Sequence, residues 1–355
     1  MILPVARGRM TKLILHIGGH RTGSTSIQAA LSSSFDELLK NGILYPKAGL
    51  DTVAHHCYVN SLRKSGVPGF SEVAPLETLM ADLKQEIAAS GCHTVLISSE
   101  EFINSPEIPS SSLSQLLGLF SEVLVICVVR HQGPLLESGY KFQVLWEQTA
   151  SGGSFEDFID YNTRGAHLEY VHLPGYYGAA HPNLQFRFAS FGDLARSGEL
   201  VSRFCAMCDI DFLQARNIHT NESLGRKCTI ALAMRNRGEI GTDLSRHAFI
   251  RAARTSLHDR GESLFDEQLF ARIVERFRAS NDTLAATAGF NLNDEARQFA
   301  QKHSLKGSAF TGEDQAALGK ALAEARRHPV VLRLRDFARR IVSRLRRLRK
   351  QAFAS

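Results

Sequence analysis

Cysteine is scarce in this chain. Six occur in 355 residues, at Cys57, Cys92, Cys127, Cys205, Cys208 and Cys228, with no framework spacing, and a disulfide scaffold is excluded. No stretch approaches the ~18 consecutive apolar residues of a membrane span, which excludes a multi-span membrane protein. The opening MILPVARGRM is too short and too polar for a secretory signal, and Met10 is an alternative start just before the first strand pattern. Together these absences point to reduced thiols and a cytoplasmic location. No internal repeat is visible. Hydrophobic residues make up 44% and charged residues 22%, so neither a collagenous nor a wholly disordered chain fits. The length predicts about two domains, or one large α/β domain with additions.

A strong charge of one sign is also missing from most of the chain. The net charge is +6, but Arg326 to Lys350 holds eleven basic residues against the single acid Asp336, so the remainder stands at −4. The basic character belongs to the tail and says nothing about ligands of the body.

What is present is an alternation of buried strands and helices. Lys12–Ile17, Ile43–Tyr45, Thr94–Ser98, Glu122–Val129 and Leu184–Phe188 read as strands. Helices are predicted from Ser24 to Leu39, stopped by Asn41-Gly42, and over 75–90, 110–119, 134–148 and 192–206. Residues 151–180 read as irregular, the chain beyond about 221 as mostly helical, and Gly307–Gly312 as a linker. This is the pattern of an α/β fold with a parallel sheet covered on both faces. Ligands in such folds sit beyond the C-terminal strand ends, where three polar groups fall: residues 18–26, 98–101 and 130–138.

The first group has the form of a phosphate cradle. Gly18-Gly19-His20-Arg21-Thr22-Gly23 follows a buried strand, and Ser24-Thr25-Ser26 opens an amphipathic helix. Loop amides and the helix N-terminus would face an anion. Gly18 and Gly23 have the Walker A separation, but Ser24 stands where that motif has Lys, and the loop cation is Arg21. As an ATPase loop this is a poor match. HIGGHRTGSTSIQ instead resembles the 5′-phosphosulfate loop of sulfotransferases that use 3′-phosphoadenosine-5′-phosphosulfate (PAPS). It is closest to the bacterial branch, with Arg21 where Lys is usual. Val128-Val129-Arg130, followed by Ser138 eight residues after the arginine, resembles the same family's 3′-phosphate motif. Arg130 can contact a phosphate in bidentate fashion, and Ser138 adds a hydroxyl.

The resemblance covers about residues 12–290, with only 16–28 and 128–140 specific. It implies a P-loop three-layer fold in residues 1–305, with a helical basic extension over 306–355. It implies PAPS as co-substrate, held by Gly18, Gly19, Arg21, Thr22, Gly23, Ser24, Thr25, Arg130 and Ser138. Arg21 would neutralise the leaving phosphate, and no metal is expected. The base is expected at Glu100, in the Ser98-Ser99-Glu100-Glu101 segment, or at His20; the bland alternative makes Glu100 or Glu101 a helix cap. Asn221–Leu224 with Arg226-Lys227 is a weaker match that could close over the 3′-phosphate. His16 reads as a structural strand residue, and His55-His56 as acceptor-site or surface residues. Cys205 and Cys208 lack the four ligands of a zinc site.

The expected activity is sulfuryl transfer from PAPS to a hydroxyl of a carbohydrate or glycoconjugate, releasing adenosine 3′,5′-bisphosphate. Two alternatives stand beside it: a nucleotide-dependent kinase or NTPase on the same fold, and a non-catalytic member acting through its tail. Residues 330–350 form a basic amphipathic helix that suits an anionic membrane surface, and then a glycolipid acceptor, or packing on the body or on another subunit, which leaves the oligomeric state open. No interleaved aromatics accompany the basic residues, so nucleic acid is not expected.

Overall fold

The structure is a computed structural model that describes residues 11–63, 74–146, 149, 151–213, 224–259 and 261–327. Strands β1 (Lys12–His16), β2 (Ile43–Leu44), β3 (Thr94–Ser98), β4 (Glu122–Val129) and β5 (Leu184–Ser190) form one sheet in the order β2-β3-β1-β4-β5. Every pairing is parallel. β1 is central, with His16 opposite Ser98 on one side and Ile126 on the other. Because all strands run the same way, the segments after His16, Ser98, Val129 and Ser190 emerge along one edge. Chain order reverses about β1, the place where open α/β sheets bind ligands.

The strands are apolar on both faces because both are covered. Leu13, Leu15, Val95, Ile97, Val125 and Cys127 enter one core, with Tyr58 and Leu62 of helix His56–Arg63 and Leu83 of helix Leu76–Ser90. Ile14, Leu96, Leu124 and Ile126 enter the other, with Ile27 and Leu31 of helix α1 (Ser24–Ser32). Truncating a fully buried member such as Ile126 to Ala would cost about 2–5 kcal/mol.

The chain divides into two compact units. The first comprises Met1–Gly139, Tyr161–Glu222 and Ala271–Gln301; the second comprises Tyr140–Asp160, Ser223–Phe270 and Lys302–Ser355. The sheet belongs to the first. In the second, helices Arg226–Asn236, Arg246–Ser256 and Gly312–Arg327 accompany a short parallel pair, Glu262–Ser263 with Ser304–Leu305.

Three expected elements differ. The helix expected over 24–39 is two, Ser24–Ser32 and Phe35–Lys40. Ser32 and Ser33 donate their hydroxyls back to the carbonyls of Ala29 and Ala30, a local bond that competes with helix continuation. The helix expected over 192–206 is interrupted by a tight turn at Arg196–Gly198, where Ser197 and Gly198 take positive φ of 61° and 77°. Residues 151–180 are not irregular. They contain helices Phe155–Asn162 and Leu173–Gly178, the first started by Ser154 Oγ accepting from the Asp157 amide at 3.0 Å. Among the described residues no helix is long and apolar enough to cross a membrane. The basic segment 330–350 lies outside the described residues.

Candidate anion-binding site in the first unit

β1 ends at His16, and the chain turns through Ile17–Gly23 into α1. Two loop amides are tied to β4: Ile17 donates to the Ile126 carbonyl and Gly19 to the Val128 carbonyl, each at 2.9 Å. Thr22 is fully buried, and its hydroxyl donates to the Gly19 carbonyl at 2.5 Å, so it shapes the loop from within. Gly23 has φ 81°, and a Cβ there would stand 2.3 Å from a methyl of Leu200. Arg21 also takes a left-handed conformation, φ 64°. For a non-glycine residue this is uncommon, and it concentrates at functional loops. α1 then begins at Ser24 with no side-chain cap. The Ser26 amide donates to the Gly23 carbonyl at 3.0 Å, which leaves the amides of Ser24 and Thr25 at the helix N-terminus, where the dipole places partial positive charge.

His16 forms the floor. It is fully buried, its Nδ1 lies 2.8 Å from Ser98 Oγ, and its ring meets the Phe204 ring at 4.6 Å. Desolvation pulls its pKa down to about 4 against the opposing charge of Glu100, so it is neutral at pH 7. Its Nε2 has no hydrogen-bond partner, and a Cβ on Gly18 would stand 2.6 Å from that atom. The glycine lets the loop backbone pass directly over the imidazole.

The second cation group joins the first. Arg130 follows β4, and Ser138 lies in the helix Gln132–Leu145. Arg21 Nε donates to Ser138 Oγ at 3.0 Å, and Arg130 Nη1 reaches the Arg21 carbonyl at 3.5 Å. Arg130 also stacks over the Phe191 ring, 5.2 Å from its centroid. Burial lowers the Arg130 pKa, opposed by the charge of Glu295 and reinforced by that of Arg21; burial lowers that of Arg21 as well. Both remain charged at any physiological pH. Two partly desolvated guanidinium groups held together repel each other, and an anion between them removes that cost.

Glu295 completes this side. Its carboxylate accepts from the His131 amide at 2.9 Å, from Ser190 Oγ at 2.6 Å and from the Gly192 amide at 3.3 Å. It ties the ends of β4 and β5 together and balances Arg130.

The opposite wall follows β3. Glu100 Oε2 accepts from Gln28 Nε2 at 2.7 Å. Glu101 is nearly buried, and its carboxylate lies 3.2 Å from His20 Nε2 and 3.4 Å from Arg63 Nη1; Arg63 also donates to its backbone carbonyl at 3.0 Å. Burial alone would raise the Glu101 pKa. The hydrogen bond from His20 and the charges of His20, Arg63 and His56 outweigh it and hold the carboxyl down at about 2. His20 is half exposed. Desolvation lowers its pKa, but the bond to Glu101 and the charges of Glu101 and Glu100 win over that and over the opposing Arg63, and the net shift is upward.

The sequence-predicted residues thus divide. Gly18, Gly19, His20, Arg21, Thr22, Gly23 and Ser24 make one continuous loop, exposed Thr25 follows, and Arg130 and Ser138 reach Arg21 from 109 and 117 residues away. Glu100 is in place after β3 but engaged by Gln28. His55 is a buried structural residue rather than a surface one: its Nε2 lies 2.9 Å from the Pro46 carbonyl, and its Nδ1 accepts from the Ser98 amide. His56 is buried as well, with its Nδ1 2.8 Å from Ser99 Oγ. In the second unit Arg226 pairs with Glu262, and Lys227 pairs with Asp314. Asn221–Ser223 lie outside the described residues. Sequence reasoning missed Arg63 and Glu295 and weighed Glu101 only as a cap. The doubled acid after a buried strand was the available signal for Glu101. Among the described residues no group of three or more His, Cys, Asp or Glu side chains is arranged to hold a metal ion.

No family model matches the chain, and no curated protein sequence matches it. Among solved structures, it is similar to the crystal structure of a sulfotransferase from Alicyclobacillus acidocaldarius. The identity is 14%, the match covers 82% of this chain and 100% of that one, and the TM-score is 0.44.

Proposed function

We propose that this chain is a PAPS-dependent sulfotransferase that moves a sulfuryl group to a hydroxyl of a carbohydrate or glycoconjugate and releases adenosine 3′,5′-bisphosphate. The observation that carries this reading is the Arg21–Ser138 bond together with the Arg130–Arg21 contact. A single phosphate loop would suit many nucleotides. A loop whose cation bonds a serine from the helix after β4, and whose backbone carbonyl is met by a second arginine from the end of that strand, suits a ligand with two separate phosphate groups. The start of α1, with no side-chain cap, offers an anion the amides and dipole of a helix N-terminus.

In this reading the loop amides, Ser24 and Thr25 hold the 5′-phosphate. Arg130 and Ser138 hold the 3′-phosphate. Arg21 neutralises the oxygen that leaves when the S–O bond breaks. This is catalysis by positioning and fixed charge, by analogy with phosphoryl transfer. Gly18, Gly19, Thr22 and Gly23 act by letting the backbone take its path. Glu100 and His20 stand on the acceptor side. The cytoplasmic location, and a peripheral membrane contact through 330–350 with a glycolipid acceptor, belong to the same proposal.

The test is thermal stabilisation by adenosine 3′,5′-bisphosphate beside 5′-AMP and ATP with magnesium. At 100 times its dissociation constant the bisphosphate should add about 2.7 kcal/mol of stability. Arg130→Ala should remove most of that shift. A shift with ATP and magnesium alone would favour the kinase reading, and no shift with any of the three would overturn both.

A further inference from the structure

A sulfuryl acceptor must lose a proton, and the two acids after β3, the expected base Glu100 and its neighbour Glu101, have other work. Glu101 is held near pKa 2, which makes its carboxylate a weak base, and it is closed in between His20 and Arg63. The Glu100 carboxylate accepts an amide hydrogen from Gln28, itself 2% exposed.

His20 differs. A carboxylate only accepts hydrogen bonds, so the imidazole nitrogen facing Glu101, Nε2, carries the hydrogen. In the neutral ring the lone pair is then on Nδ1. About half of the side chain is open to solvent, at 51% exposure, while Glu101 is at 6% and Arg63 at 7%. Arg63 bonds the Glu101 carboxylate and carbonyl together, so the group behind the imidazole is fixed. A carboxylate that fixes the tautomer and direction of an exposed imidazole is the arrangement that makes histidine an effective proton acceptor. His20 also directly precedes Arg21, so the proton acceptor and the guanidinium assigned to the leaving oxygen come from consecutive residues of one loop.

We infer that His20 is the general base, taking the acceptor's proton at Nδ1, and that Glu101, clamped by Arg63, is its positioning residue. This rests on the sulfuryl-transfer reading above. The acceptor O–H proton passes to Nδ1 as the acceptor oxygen bonds sulfur. The bond between sulfur and the 5′-phosphate oxygen breaks, and its electron pair leaves with adenosine 3′,5′-bisphosphate. His20 then returns its proton to water. The charged groups acting on the ring are Glu101, Glu100 and Arg63, and His56 acts on Glu101.

Three readouts on the full chain test this. The first is the titration of the His20 ring by NMR, in the native chain and in Glu101→Gln. The second is PAPS turnover against pH, with water and with n-octyl β-D-glucoside as acceptors. The third is affinity for adenosine 3′,5′-bisphosphate. The native ring should titrate above 6.5, and Glu101→Gln should move it down, because the protonated ring loses its counter-charge. The acid limb of turnover should move with it. His20→Ala should lower turnover about 10²–10⁴-fold, recover part of it in added imidazole, and keep its bisphosphate affinity. If Glu101→Gln does not fold, the His20→Ala loss and its imidazole rescue decide. Bisphosphate binding with normal turnover in His20→Ala overturns the assignment and leaves the donor site standing, as does an acid limb abolished by Glu100→Gln. Bisphosphate binding with no turnover in the native chain also overturns it. Absence of bisphosphate binding overturns the donor reading first, and this inference with it.

Discussion

His16 and His20 lie four residues apart and meet opposite environments. His16 is at the floor of the loop, fully buried, with a serine hydroxyl on one nitrogen and nothing on the other. His20 is at the rim, half exposed, with a buried carboxylate on one nitrogen. Burial outweighs the charge of Glu100 at the first ring and drives it down to about 4, whereas at the second the hydrogen bond to Glu101 and the charges of Glu101 and Glu100 outweigh burial. The comparison teaches what burial and charge each do to one residue type within a single loop. The floor is neutral and fixes the shape of the backbone. The rim sets a half-exposed imidazole against the buried Glu101–Arg63 ion pair.

The largest expected effect comes from the floor. The folded pKa of His16 is below its unfolded 6.5, so between pH 6.5 and 4 the unfolded chain binds a proton the folded chain refuses. Stability is therefore lost as pH falls through that window, on the order of 3 kcal/mol for His16. His55 and His131, both also held at about 4, add in the same direction. Urea unfolding at pH 7 and pH 4 should show this loss, reduced by roughly 3 kcal/mol in His16→Gln. An unchanged pH dependence in that variant would break the contrast. Glu101 acts lower, its contribution disappearing as pH falls from 4.5 through 2.

Next is the backbone above the floor. Gly18→Ala places a methyl 2.6 Å from His16 Nε2 and should destabilise by about 1–3 kcal/mol. It should also weaken bisphosphate binding, and adding His16→Ala should relieve part of the strain. Additive losses in the double variant would show that the two residues do not share this space. A smaller effect is expected at the rim. Arg63 opposes protonation of His20, so Arg63→Met should raise the ring's pKa, read by NMR. The smallest is Ser138→Ala, which removes one part-buried hydrogen bond from Arg21 and should cost about 0.5–1.5 kcal/mol in denaturant unfolding.

Much of this frame was legible in the sequence for physical reasons. Thr94–Ser98 and Glu122–Val129 match the observed strands because a strand covered on both faces is apolar throughout and its ends are polar. The loop was legible because strand, glycines and helix start are contiguous. The helix break at Ser33–Ser34 was less so, since it depends on hydroxyls that bond locally. The left-handed backbone at Arg21 has no residue-type signature. Glu295 reaches His131 across 164 positions, and Arg63 reaches Glu101 across 38, contacts that only the folded sheet edge creates.

The central claim is that Arg21, Arg130 and Ser138 form one site for two separate phosphates. Calorimetric affinities for adenosine 3′,5′-bisphosphate and 5′-AMP, in the native chain and in Arg130→Ala, test it most directly. The account predicts that the native chain binds the bisphosphate far more tightly than 5′-AMP, and that Arg130→Ala removes most of the difference while leaving 5′-AMP binding nearly unchanged. Equal native affinities for the two nucleotides, or a preference that survives Arg130→Ala, would contradict it.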